Sequence, residues 1–196
     1  MLSASRQDGF SLIELMVTVV IFAVMAAMAA PSLMQYANNM KILAAADSLY
    51  ASLQQTRSEA IRRNIPVELV FTTDAPVAAS VETTALTDNG PNWLIRQTPE
   101  ALDDPHVFIE GKSGAEGGGR AGQATPVVID SSSSSIRFDA SGALVGSEVR
   151  VGFNQQGATC AVESGPARCL RVVASTGGQV RVCDPAALGA GDTRKC

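Results

Sequence analysis

The chain has 196 residues, a formal net charge of −4 and a pI near 5.0. Such a balance gives no global attraction to nucleic acid and leaves only a local basic patch as a route to it. The length suits one ordinary domain plus an appendage, and a single histidine leaves a serine or cysteine nucleophile almost no choice of base.

The first feature along the chain is Gly9-Phe10-Ser11-Leu12-Ile13-Glu14-Leu15, ahead of an apolar run over residues 16–30. A helix from residue 10 to residue 30 spans roughly 31 Å, about the thickness of one hydrocarbon core. A carboxylate inside that core costs a few kcal/mol or more, so Glu14 needs a partner. Cleavage after Gly9 would supply one. Phe10 would then carry a free amine four residues before Glu14, one helical turn away. Two plainer readings compete. An ordinary secretory signal would use Ala27-Met28-Ala29 as its cut site, and a simple membrane anchor would hold Glu14 near the interface.

Beyond Pro31 the helical pattern continues. Ile42, Leu49 and Thr56 recur by seven, as do Ala46, Leu53 and Ala60, and the two sets form one stripe. Pro31 lacks an N–H, which predicts a bend or a loosened turn there. Pro66 disfavours helical geometry at Ile65, so the helix should stop near Asn64. Strand-like runs follow: Val67-Glu68-Leu69-Val70-Phe71, Trp93-Leu94-Ile95, Val107-Phe108-Ile109, Val127-Val128-Ile129 and Ile136-Arg137-Phe138. Three more are Val149-Arg150-Val151-Gly152-Phe153, Leu170-Arg171-Val172-Val173 and Gln179-Val180-Arg181-Val182. Turn signals at Asp88-Asn89-Gly90-Pro91, Ala140-Ser141-Gly142 and Thr176-Gly177-Gly178 separate them, the last joining two strands as a hairpin. A long helix followed only by strands gives an α+β fold, with an antiparallel sheet packed on the amphipathic half of the helix. The glycine-rich residues 111–122 and the serines 131–135 read as weakly structured. The former has no phosphate-loop spacing.

The four cysteines, Cys160, Cys169, Cys183 and Cys196, sit in the last quarter of the chain. Two disulfides are expected, with three connectivities open. Cys160–Cys169 with Cys183–Cys196, which staples two short loops, is favoured. Zinc is the alternative, opposed by the absence of a C-x-x-C pair and the distance to His106. In Asp103-Asp104-Pro105-His106 the histidine suits a surface role and the adjacent carboxylates simple solvation. No enzyme activity, cofactor or metal is expected.

The N-terminal motif closely resembles the class III signal of type IV pilins and type II secretion pseudopilins, although its leader is less basic, with Arg6 set against Asp8. The resemblance implies cleavage between Gly9 and Phe10 by a prepilin peptidase, methylation of the Phe10 amine, and pairing of Glu14 with that amine on an adjacent subunit. Pro31 falls where many family members also carry proline. Glu59-Ala60-Ile61-Arg62-Arg63-Asn64, Phe138-Asp139-Ala140-Ser141-Gly142 and Gly178-Gln179-Val180-Arg181-Val182-Cys183-Asp184-Pro185 narrow the resemblance to the GspH/FimT group of minor pilins and pseudopilins. This implies a pilin-like organisation. Residues 1–9 form the leader, 10–36 the transmembrane and filament-core helix, and 37–196 the globular domain, with helix over 37–64 and a β-rich region over 65–196. The implied role is a minor pilin of a type IV pilus, with other pilin subunits, the peptidase and the inner membrane as partners. A type II secretion pseudopilin is the runner-up. Some FimT-type pilins bind DNA through a G-R-x-R pattern, which maps onto Gly178-Gln179-Val180-Arg181 with Gln179 in place of the first arginine. Arg181 matches, and Arg168, Arg171, Arg194 and Lys195 would extend the patch. DNA therefore stays open as a partner.

Overall fold

A computed structural model describes residues 11–99, 101, 104–113, 127–189 and 191–196. The leader, the cleavage pair Gly9 and Phe10, Asp103 and most of the glycine-rich stretch lie outside these residues. The chain divides into two units, Met1–Ala37 and Asn38–Cys196. Helix α1 covers Leu12–Arg63, and its large apolar side chains in the first unit are exposed. It is long and apolar enough to cross a membrane, by length and composition. The backbone stays α-helical through Pro31.

In the second unit, Asn64 ends α1 in the left-handed conformation (φ 56°), and Ile65 N–H reaches back to the Ala60 carbonyl at 3.3 Å. Asparagine tolerates this geometry, so the stop needs no glycine. All six residues of the periodic stripe are buried, with Ala45 and Ser52 beside them.

Eight strands follow: β1 (Val67–Thr72), β2 (Asn92–Gln97), β3 (Val107–Lys112), β4 (Val127–Ser131), β5 (Ser135–Phe138), β6 (Val149–Gln155), β7 (Leu170–Ala174) and β8 (Val180–Cys183). They form two antiparallel sheets in place of the single expected one, in the orders β3-β2-β1-β5 and β4-β6-β7-β8. Both sheets turn an apolar face to the helix stripe. Val67, Leu69, Phe71, Trp93, Ile136 and Phe138 of the first join Val151, Phe153, Leu170, Val172 and Val180 of the second in one core. The split falls in the serine run. Ser131 Oγ donates to the Ser133 carbonyl and Ser133 Oγ to that of Ser135, at 2.7 and 2.8 Å, while Arg150 N–H donates to Ser132 Oγ. Hydroxyls thus satisfy the backbone where the chain changes sheets, and the segment expected to be loose is ordered.

Every residue of β1 is buried, Glu68 included, because the opposite face of the first sheet carries a second small core of Val70, Val81 and Leu94, with Phe108 packed against it. Register places Glu68 directly between Arg96 of β2 and Arg137 of β5. Its carboxylate accepts from Arg96 at 2.8 Å and Arg137 at 3.1 Å, and Arg96 also donates to the Val81 carbonyl.

Two turns meet at Arg57 on the helix. Gly142 and Gly178 both have positive φ, +79° and +77°. A Cβ on Gly178 would lie 1.8 Å from the Gly142 carbonyl oxygen, to which Arg57 Nε donates at 3.0 Å. The glycine that opens the Gly178-Gln179-Val180-Arg181 pattern is therefore required by packing.

Gly178→Ala should cost about 2 kcal/mol or more in urea unfolding, through strain and overlap. The neighbouring Gly177→Ala, with open space and no positive φ, should stay within about 0.5 kcal/mol of the parent. Glu68→Gln should cost about 3 kcal/mol, because it leaves the buried Arg96 charge uncompensated. Glu59→Gln, whose partners Arg62 and Arg63 end the helix nearer solvent, should cost less than about 1 kcal/mol in the same assay.

Candidate functional site

At the N-terminal end, Ser11 caps α1: its Oγ accepts from Glu14 N–H at 3.3 Å, and Leu15 N–H bonds the Ser11 carbonyl at 3.2 Å. Ser11-Leu12-Ile13-Glu14 has the spacing of a capping box, a signal the sequence carries openly. Glu14 thus occupies the third helical position, where a negative charge also suits the helix dipole. Glu14 is the single charged residue between positions 12 and 37. Among the described residues its carboxylate has no partner. Pro31 is exposed on the same apolar segment.

At the other end of the chain, the disulfides are Cys160–Cys169 and Cys183–Cys196, with Cα separations of 5.5 and 5.1 Å. Each closes a short loop and restricts the unfolded chain, worth roughly 2–3 kcal/mol in the loop-entropy view. The second loop gathers four of the five expected cations around Asp184. Arg168 Nε lies 3.2 Å from Asp184 Oδ2, Lys195 bridges to Asp184 along the backbone, Asp184 N–H donates to the Arg194 carbonyl, and Arg181 donates to the Lys195 carbonyl at 3.4 Å. Arg194 is paired with Asp192 at 2.8 Å, which holds the Asp192 carboxyl down at about 2. Carboxylates therefore offset two of these cations. Arg171 sits apart on β7, in register with Cys183, while Arg181 faces Val173.

His106, expected at the surface, is half-buried there. Its Nδ1 lies 2.9 Å from Glu82 Oε2, its backbone N–H donates to Glu82 Oε1, and its Nε2 is 3.9 Å from Glu68. The contact with His106 holds the Glu82 carboxyl below its ordinary range. The histidine clips the loop after β1 onto the entry to β3, beside the Arg96–Glu68–Arg137 row. Sequence reasoning missed this row because register decides it. Asp104 is used locally, accepting from Ala101 N–H. Among the described residues no three His, Cys, Asp or Glu side chains gather where they could hold a metal ion.

The family model described as type II transport protein GspH matches residues 45–178, and that of the prokaryotic N-terminal methylation motif matches residues 4–30. No curated protein matches the chain. The type IV minor pilin FimU of Pseudomonas aeruginosa has a similar structure, with a TM-score of 0.53 at 16% identity, over 76% of this chain and 92% of FimU. The minor pseudopilin EpsH of the type 2 secretion system of Vibrio cholerae aligns with a TM-score of 0.46 at 14% identity, over 72% of this chain and 95% of EpsH. GspH of E. coli aligns at 0.45 and 14%, over 80% and 93%. With more than half of its length matched by the GspH model behind a methylation-type N-terminal segment, the chain belongs to the GspH family of minor pilins and pseudopilins, which serve type IV pili or type II secretion systems.

Proposed function

We propose that the chain is a minor pilin of a type IV pilus, cut between Gly9 and Phe10 by the prepilin peptidase and held by residues 10–36 in the inner membrane until it enters the filament. The observation that carries the assembly part of this reading is Glu14, a lone carboxylate on a long exposed apolar helix with no partner among the described residues. Burying that carboxylate in lipid or in a filament core is costly unless a cation meets it. The Phe10 amine of a neighbour would neutralise it and fix subunit register. The two disulfides and the Arg181-Val182-Cys183-Asp184 ending support a pilus over a secretion pseudopilus, since a displayed domain gains from covalent staples.

Glu14→Val keeps the Ser11 cap, which uses the backbone N–H, and removes only the carboxylate. The variant should insert into membranes normally and be absent from sheared filaments by mass spectrometry; normal incorporation would sink the pairing. The parent chain should appear in those filaments starting at methylated Phe10. The same processed chain confined to membranes would favour the secretion pseudopilus.

A second reading, DNA capture, is favoured by the gathering of Arg168, Arg181, Arg194 and Lys195 at one end of β8 and opposed by Asp184 and Asp192 among them. It requires duplex binding by the full chain that weakens steeply with salt, and Arg181→Ala should lower the salt slope by about one. Binding that ignores salt, or no binding in low-salt titrations, contradicts it.

A further inference from the structure

The outer face of the second sheet carries an open groove of about 470 Å³. Its floor is a cross-strand row in which Asp130 of β4 faces Gly152 of β6, which in turn faces Arg171 of β7. With strands spaced by about 4.8 Å, the Asp130 and Arg171 backbones stand roughly 10 Å apart with no side chain between them. Neither the backbone nor the packing demands glycine at this point. Gly152 has no positive φ, and an added Cβ would meet only the Asp130 carbonyl oxygen at 3.5 Å, an ordinary contact. Glycine inside a central strand weakens the sheet, and it commonly marks a place where a ligand or another backbone comes close. Among the described residues, the Asp130 and Glu163 carboxylates and the Arg171 guanidinium have no hydrogen-bond or ion-pair partner. Val162, 53% exposed, forms part of the rim within the Cys160–Cys169 loop.

We propose that this groove receives an extended polypeptide segment of a different pilin-family subunit, its backbone lying over Gly152, a carboxylate meeting Arg171 and a basic side chain meeting Asp130 and Glu163. Charge chooses the class of partner. Arg150 among the lining residues is paired with Glu148 at 2.8 Å, which leaves two carboxylates, Asp130 and Glu163, against the one guanidinium of Arg171. A phosphate backbone would gain little there and would meet two carboxylates, whereas a polypeptide carries both signs. A backbone-accessible slot beside fixed charges also supplies register, which a subunit contact needs. The proposal rests on the chain being an assembling subunit, whichever of the two machines it serves.

The test places a photoreactive benzoylphenylalanine at Val162 of the full chain in its host, with Val145, equally exposed but off the groove, as the control. Irradiation should give a product at Val162 alone, identified by mass spectrometry as a different chain bearing an N-terminal methylation-type signal. Gly152→Phe, which fills the slot, and Arg171→Glu, which reverses its charge, should each cut the yield by about tenfold while leaving the melting temperature close to that of the parent. Two variants of unlike chemistry keep the test sound if one folds poorly. A product with nucleic acid or with a second copy of this chain, equal cross-linking at Val145, or a yield untouched by either folded variant overturns the proposal. Whether the product comes from sheared filaments or from membranes reports on the pilus reading alone.

Discussion

The fold hangs on one narrow helix face that must cover two sheets at once. Between Ile42 and Ala60, α1 presents large residues, Ile42, Leu49 and Leu53, beside small ones, Ala45, Ala46, Ser52 and Ala60, all buried. The small residues admit bulky strand side chains, so Trp93 comes close enough to donate from Nε1 to Ser52 Oγ at 2.9 Å. No strand of one sheet is paired in a ladder with a strand of the other. Burial against the same stripe is what brings the sheets into one core. At about 25 cal/mol per Å² of apolar surface, that shared burial outweighs any single polar contact in the domain.

Polar groups then decide how the edges of this arrangement are finished. Arg57 ties the helix to the turns at Gly142 and Gly178. The serine run satisfies the backbone as the chain changes sheets. On the far face of the first sheet, the Arg96–Glu68 pair is buried beside the loop that His106 clips through Glu82, with Arg137 at its solvent-exposed end. A buried ion pair of this kind adds little net stability compared with apolar packing, but it penalises any register that separates its members. The disulfides fasten the last quarter of the chain, where the loops are long relative to the strands.

Much of this was legible from residue order alone. Pro66 announced the end of the helix, the seven-residue spacing gave the buried stripe, and runs of Val, Ile and Phe located the eight strands to within three residues at either end. The favoured cysteine pairing matches the structure. What stayed hidden depends on register and on covering loops. Alternation in β1 assigns Glu68 to solvent, and nothing local says that the loop after β1 folds back over it. The partition into two sheets is decided by which strands pair, and neighbours in sequence, β4 and β5, fall on opposite sides. Ser11-x-x-Glu14 has the spacing of a cap, which residue order does carry. Nothing in residue order marks Gly152, and its significance emerges only when Asp130 and Arg171 are found on either side of it.

Native-state hydrogen exchange on the full chain in detergent micelles tests the shared helix face most directly. If one stripe holds both sheets, the slowest amides of β1, of β7 and of α1 near Leu49 and Leu53 should open with a common free energy and a common denaturant slope, as one cooperative unit. Separate opening of either sheet, with the helix amides still protected, would contradict the account.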